Sequence, residues 1–257
     1  MDTKPLILLT NDDGYLSRGL AHLATTTKAL LPEARIVVVA PHEAQSGKSS
    51  ALTVNEPLFV ESHDNIPGAE VYSVNGTPVD CVKLALHAVL DRRPDLLLSG
   101  INHGSNAAIN NIYSGTMGAA MEGCILGIPS VGYSLLSHSP EADFSGTTAI
   151  INEITSAVMA KGLPEGVCLN VNFPARCTPK GFKVVRSARG HWTEEYADYA
   201  TPHGKPFYWL TGKFDNLEPD ADDTDEYWLA REWASVVPIR PDQTAIDMIG
   251  KIDSLLK

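Results

Sequence analysis

The sequence predicts an α/β fold, a mostly parallel sheet covered by helices on both faces. Over the first two-thirds of the chain, short apolar runs alternate with amphipathic stretches of helical period. The runs are apolar at nearly every position, the mark of strands with both faces buried. Several of them open directly into polar, glycine-containing segments, where turn residues end a strand.

Leu6 to Thr10 is the first strand, a helix follows at about Arg18 to Leu31, and Arg35 to Ala40 completes a βαβ unit. Leu58-Phe-Val60 and Val71-Tyr-Ser73 flank a polar connection containing Pro and Gly, which predicts an antiparallel excursion. Pro78 then starts a helix over Val79 to Leu90, because proline suits the first helical turn. Strand Asp95 to Ser99, helix Thr116 to Leu126, strand Ser130 to Ser134, a helix near Thr147 to Lys161 and strand Val167 to Phe173 continue the alternation. Beyond this the character changes, with strands at Phe182 to Ser187 and Phe207 to Thr211 among many aromatics. We set a boundary near Pro179, giving a core over 1–178 and a C-terminal extension of hairpin and helix over 179–257. The acidic run Asp215 to Glu226 reads as a solvated loop rather than a metal site. Strand Ala234 to Ile239 and amphipathic helix Thr244 to Leu256 form a tail expected to dock on a neighbouring subunit.

Composition narrows the function classes. With 257 residues, 44% of them hydrophobic, the chain can bury one substantial core. A net charge of -11 excludes a nucleic-acid duplex as the main partner, since phosphate backbones need a basic face. Cys81, Cys124, Cys168 and Cys177 have no CxxC or zinc spacing and read as buried or incidental thiols, which suits a reducing cytoplasm. Met1-Asp-Thr-Lys-Pro5 carries no apolar leader and no stretch is long enough to span a bilayer, so neither export nor a membrane is expected.

Polar groups collect at three places. Asn11-Asp12-Asp13-Gly14 sets two carboxylates at the end of the first strand, where open α/β sheets carry their chemistry. A turn there would aim both into one crevice and suit Mg²⁺ or Mn²⁺; an Asx turn accounts for the residues equally well. The loop Pro41 to Ser50 contains Gly47-Lys48-Ser49, but a P-loop needs glycine where His42 stands, so no triphosphate loop is present. Ser46 can still offer a hydroxyl ligand, as a plain surface loop also would. Ser99-Gly100-Ile101-Asn102 and Asn106 supply amides able to ligate a metal or bond phosphate, or merely to shape a loop. His103, beside them, is a weaker base candidate. Ser114-Gly115-Thr116 heads a helix of small residues whose first N–H groups would face an anion, with Ser114 or Thr116 as an ordinary cap. Asn75-Gly76-Thr77-Pro78 repeats the capping theme at the preceding helix.

Together, Thr10-Asn11-Asp12-Asp13-Gly14, Ala40-Pro41 with Ser46-Gly47, Gly76 to Val82, Ser99 to Asn102 and Ser114-Gly115-Thr116 resemble the SurE family of nucleotidases. The motif-bearing likeness runs from about Leu6 to Ser134 and continues more weakly toward Pro238. The resemblance implies a Rossmann-like core and a metal-dependent phosphatase acting on nucleoside 5′-monophosphates, often 3′-monophosphates, and in some members short polyphosphate. By position it implies one divalent cation per subunit on Asp12, Asp13, Ser46 and Asn102. Substrate phosphate would rest against Asn106 and Ser114-Gly115-Thr116. It further implies a C-terminal region exchanged between subunits of a homodimer or homotetramer. The chain departs from the family pattern at His42 and at Asn110-Asn111, where acidic residues are common, which bears on substrate preference and pH optimum.

The expected chemistry is hydrolysis at phosphorus, with Asp12 and Asp13 holding the ion or one of them, Asp13, attacking directly. A haloacid-dehalogenase-type phosphatase would need a carboxylate at position 11, where this chain has Asn11. A nucleotide or phosphate sensor without turnover is the alternative from another class.

Overall fold

The computed structural model describes residues 4–175 and 178–257. Its strands, in chain order, are β1 (Leu6–Thr10), β2 (Arg35–Pro41), β3 (Val60–His63), β4 (Glu70–Val74), β5 (Leu96–His103), β6 (Ser130–Leu135), β7 (Cys168–Phe173), β8 (Phe182–Val184), β9 (Gly190–Thr193), β10 (Tyr196–Ala200), β11 (Pro206–Leu210), β12 (Lys213–Asn216) and β13 (Ala234–Ile239). The longer helices are α1 (Arg18–Leu30), α2 (Pro78–Leu84), α3 (Gly115–Ile125), α4 (Thr148–Lys161), α5 (Asp225–Leu229) and α6 (Ile249–Leu256).

Nine strands form one sheet in the order β3-β4-β2-β1-β5-β6-β7-β13-β8. From β4 through β7 the pairing is parallel; β3 joins β4 antiparallel and β13 joins β7 antiparallel. The predicted excursion is thus β3, and the chain returns from it into the parallel sheet. After β1 the chain runs outward to β2 and β4, then comes back to lay β5 on the other side of β1. That reversal makes a crevice at the carboxyl ends of β1 and β5.

Alternation within the strands explains the two-sided core. Ile7 and Leu9 face a cluster with Leu20 and Leu23 of α1 and Ile151 and Ile154 of α4. Leu6 and Leu8 face a second cluster with Val82 of α2 and Ala119 of α3. Each such side chain, taken fully from water, contributes about 1.5–3 kcal/mol.

The elements differ from expectation in instructive ways. The helix after Pro78 ends its regular turns at Leu84 and finishes as a wider π-helical turn, Ala85–Val89. The strand from Phe182 stops at Val184, because Arg186 turns away to bond Asp223. The last helix begins as a 3₁₀ turn at Ile246 and becomes α-helical only at Ile249. The acidic run is a solvated loop only in its middle, where Asp220, Asp222 and Asp223 are exposed: Asp215 lies in β12, and Asp225 heads α5 fully buried, its carboxylate satisfied by backbone N–H groups. Cys81, Cys124 and Cys168 are free and buried; Cys177 lies outside the described residues. No helix among the described residues is long and apolar enough to cross a membrane.

Candidate active site

The chain bends where β1 ends. Asn11, fully buried, donates its side-chain N–H groups to the carbonyl of Gly14 at 3.0 Å and the hydroxyl of Ser17 at 2.7 Å, closing a turn. Gly14 sits in that turn at φ +95°, a conformation that favours glycine. Ser17 goes on to cap α1 by accepting from the Leu20 N–H.

The turn presses Asp12, 3% exposed, against the start of α3. Its Oδ1 accepts the Thr116 hydroxyl at 2.5 Å. A Cβ at Gly115 would lie 2.8 Å from the Asp12 Cβ and 3.1 Å from its Oδ2, so only glycine admits the carboxylate this close. Asp13 turns the other way, its Oδ2 accepting the His103 N–H at 3.0 Å from the end of β5. The pair therefore ties β1 both to α3 and to β5.

Burial pushes the Asp12 carboxyl up, against the opposing pull of the Thr116 hydroxyl and the N–H groups at the head of α3. Burial and then the Asp12 charge push Asp13 up to about 7, against the His103 N–H. Two adjacent carboxylates taken from water disfavour each other's charge, and the charges acting on them include no basic side chain. Below them Thr10 Oγ1, Asn11 Oδ1 and Ser99 Oγ are buried without hydrogen-bond partners among the described residues.

The loop after β2 and the end of β5 both reach this pair. The Gln45 N–H donates to the Asp12 carbonyl at 2.7 Å, drawing the loop after β2 down onto the acidic turn, and the next residue is the exposed Ser46. Asn102, buried on β5, donates its amide N–H to the Gly104 carbonyl at 2.9 Å, which leaves its Oδ1 as an acceptor. No group of three or more His, Cys, Asp or Glu side chains able to hold a metal occurs among the described residues. The donor set is two carboxylates with neutral oxygens, the chemistry of a hard cation such as Mg²⁺ or Mn²⁺.

On the far side, Ser114 caps α3 by accepting the Met117 N–H at 3.1 Å. The Thr116 hydroxyl is committed to Asp12, and the Gly115 and Thr116 N–H groups face the same carboxylate. Asn106 is buried and held at every backbone group: its N–H donates to Asn172 Oδ1 at 2.9 Å and its carbonyl accepts from Asn170 at 2.8 Å. Its side-chain amide donates to Ser134 at 2.8 Å. Ser134, Asn170 and Asn172 were not singled out from sequence. Their signal was present in β7, where two asparagines two residues apart share one face of an otherwise apolar strand.

His103 contributes its backbone; its ring packs edge-on to Phe144 at 5.0 Å and burial holds its pKa down. His42 stacks on Tyr15, with ring centroids 5.5 Å apart, and Asn110 accepts the Trp192 indole N–H. A cavity of about 450 Å³ opens at the opposite ends of β6 and β7, bordered by Cys124, Leu163 and Pro241, and has no part in this crevice.

Fold and site together define a class: an α/β protein whose sheet reversal holds an acidic pair against a helix start, with neutral oxygens around it. Within that class the chain belongs to the SurE family, whose description, Survival protein SurE, matches residues 7–194. It is 45% identical over 249 residues to the 5'-nucleotidase SurE of Phocaeicola vulgatus, covering 97% of this chain and 96% of that protein. To the 5'-nucleotidase SurE of Christiangramia forsetii it is 48% identical over 256 residues, covering 98% and 96%. The crystal structure of the SurE protein from Aquifex aeolicus matches with TM-score 0.84 at 37% identity, over 98% of this chain and 100% of that one.

Proposed function

We propose that the protein is a divalent-cation-dependent 5′-nucleotidase that releases phosphate from nucleoside 5′-monophosphates, with 3′-monophosphates and short polyphosphate as further substrates. The observation that carries this reading is the acidic pair wedged between β5 and the glycine-headed start of α3. The relatives' name, 5'-nucleotidase SurE, supports it.

Asp12, Asp13, Ser46 and Asn102 would hold the cation. When bound, it supplies Lewis acidity at a phosphoryl oxygen and a water of lowered pKa. The chain's own groups do the rest. Thr116 and the α3 N–H groups fix Asp12 in one orientation, and His103 does the same for Asp13. Ser114-Gly115-Thr116 and Asn106 would line the phosphoryl oxygens, where a helix start favours negative charge. Asn11 has no carboxylate with which to attack phosphorus, and its amide N–H groups close the turn.

Exposed apolar residues on α6 (Ile249, Ile252, Leu255, Leu256) support a homodimer or homotetramer, and three free buried cysteines support a cytoplasmic setting. The test is release of inorganic phosphate from adenosine and guanosine monophosphates with Mg²⁺, Mn²⁺ or Co²⁺. Activity is expected only with a cation and is abolished by Asp12→Ala or Asp13→Ala. Nucleotide binding without release under any cation would make the protein a sensor. A phosphorylated aspartate trapped by rapid quench would replace water attack with attack by Asp13.

A further inference from the structure

The connection from β5 to α3 carries every residue proposed to meet phosphate, and its geometry is held from far away in the chain. Asp225, at the head of α5, is fully buried. Its Oδ2 accepts the Ala108 N–H at 2.8 Å across 117 residues of sequence. Its Oδ1 accepts the N–H groups of Ala188 and Glu226, each at 2.8 Å. Ala108 sits at φ +51°, the left-handed region that disfavours a residue with a Cβ and persists where surroundings enforce it. Two residues on, Asn110 accepts the Trp192 indole N–H at 2.8 Å from β9. Asn106 is anchored from β6 and β7, as described, and the Ser49 N–H and hydroxyl hold Tyr113 and Ile112 just before the cap of α3.

Resting on the nucleotidase reading, we infer that Asp225 and Trp192 are positioning residues: through Ala108 and Asn110 they set the 106–114 segment against phosphate, making the C-terminal extension part of the catalytic architecture. Neither residue touches the proposed cation ligands. A carboxylate is required at 225 because both of its oxygens accept N–H groups. An asparagine there would turn one end into a donor facing a donor.

The test compares wild type with Asp225→Asn and Trp192→Phe in steady-state hydrolysis of adenosine monophosphate, inhibition by inorganic phosphate, and calorimetric Mn²⁺ binding. Asp225→Asn is expected to raise KM and the phosphate inhibition constant about tenfold, with kcat held within about threefold and Mn²⁺ affinity within about twofold. Trp192→Phe keeps an aromatic ring in a smaller side chain, loses the indole N–H, and should move the same two constants in the same direction by less. Lost kcat with both constants unchanged would overturn the inference, since a general loss of folded enzyme lowers rate and not affinity. If Asp225→Asn fails to fold, Trp192→Phe decides, and unchanged constants there overturn it equally. If the wild type releases no phosphate, the nucleotidase reading fails on its own; calorimetric binding of inorganic phosphate, weakened or not in the two variants, then decides the positioning role.

Discussion

Asp13 shows how a single residue trades stability against a task. It is held beside another carboxylate, partly removed from water, with one backbone N–H as its direct partner. Replacing it with asparagine removes a like-charge conflict and should stabilise the cation-free protein by about 1–2 kcal/mol. The same change should abolish Mn²⁺ binding by calorimetry, and the stability gain is read as a higher urea midpoint in chelator. At this scale the acidic pair was legible because it follows an apolar strand directly. Ser46 and Asn102 were individually ambiguous and drew their meaning from the likeness to a family. Asp225 was not legible at all. It closes a run whose Asp220, Asp222 and Asp223 are exposed, while the groups that justify its burial, Ala108 and Ala188, lie far along the chain.

Elements with two-sided or amphipathic burial could be read from their pattern, and those without could not. β1 and β2 emerged within a residue or so because their side chains fill both core clusters, and β6 and β7 because nearly every position along them is buried. β9, β10 and β12 went unrecognised, since they are short and much of their surface meets solvent, which removes the alternation that reports a strand. Helix α2 was legible through its start: Thr77 accepts the Asp80 N–H while the Asp80 carboxylate accepts the Thr77 N–H, a reciprocal cap. Asp80 also accepts the Thr53 N–H, so the cap anchors the long loop after β2 as well. Thr77→Ala should therefore cost about 1–2 kcal/mol in urea unfolding. Because that loop carries Ser46, Mn²⁺ affinity should fall with it.

At the scale of the whole molecule, the C-terminal extension holds Glu226, a group that links stability to pH. Burial and the neighbouring Asp225 charge raise Glu226 from 4.5 to about 7. The folded protein keeps a proton that the unfolded chain gives up across this interval, so the group's contribution to stability falls as pH rises from about 4.5 to 7 and is flat above. Glu226→Gln should leave stability near wild type at pH 4 and exceed it by roughly 2 kcal/mol at pH 8, measured by urea unfolding at both. Assembly should depend on α6, none of whose residues is buried within the chain. Deleting residues 245–257 should preserve the circular dichroism of the core and reduce the mass found by light scattering. The bond from Asp225 to Ala108 carries a last consequence, for synthesis. A chain emerging from the ribosome displays all four proposed cation ligands once its first half is out, yet it cannot brace its phosphate wall until the penultimate strand region arrives. Turnover should be withheld from unfinished chains, and products truncated before Asp225 should be poor catalysts despite carrying every proposed ligating residue.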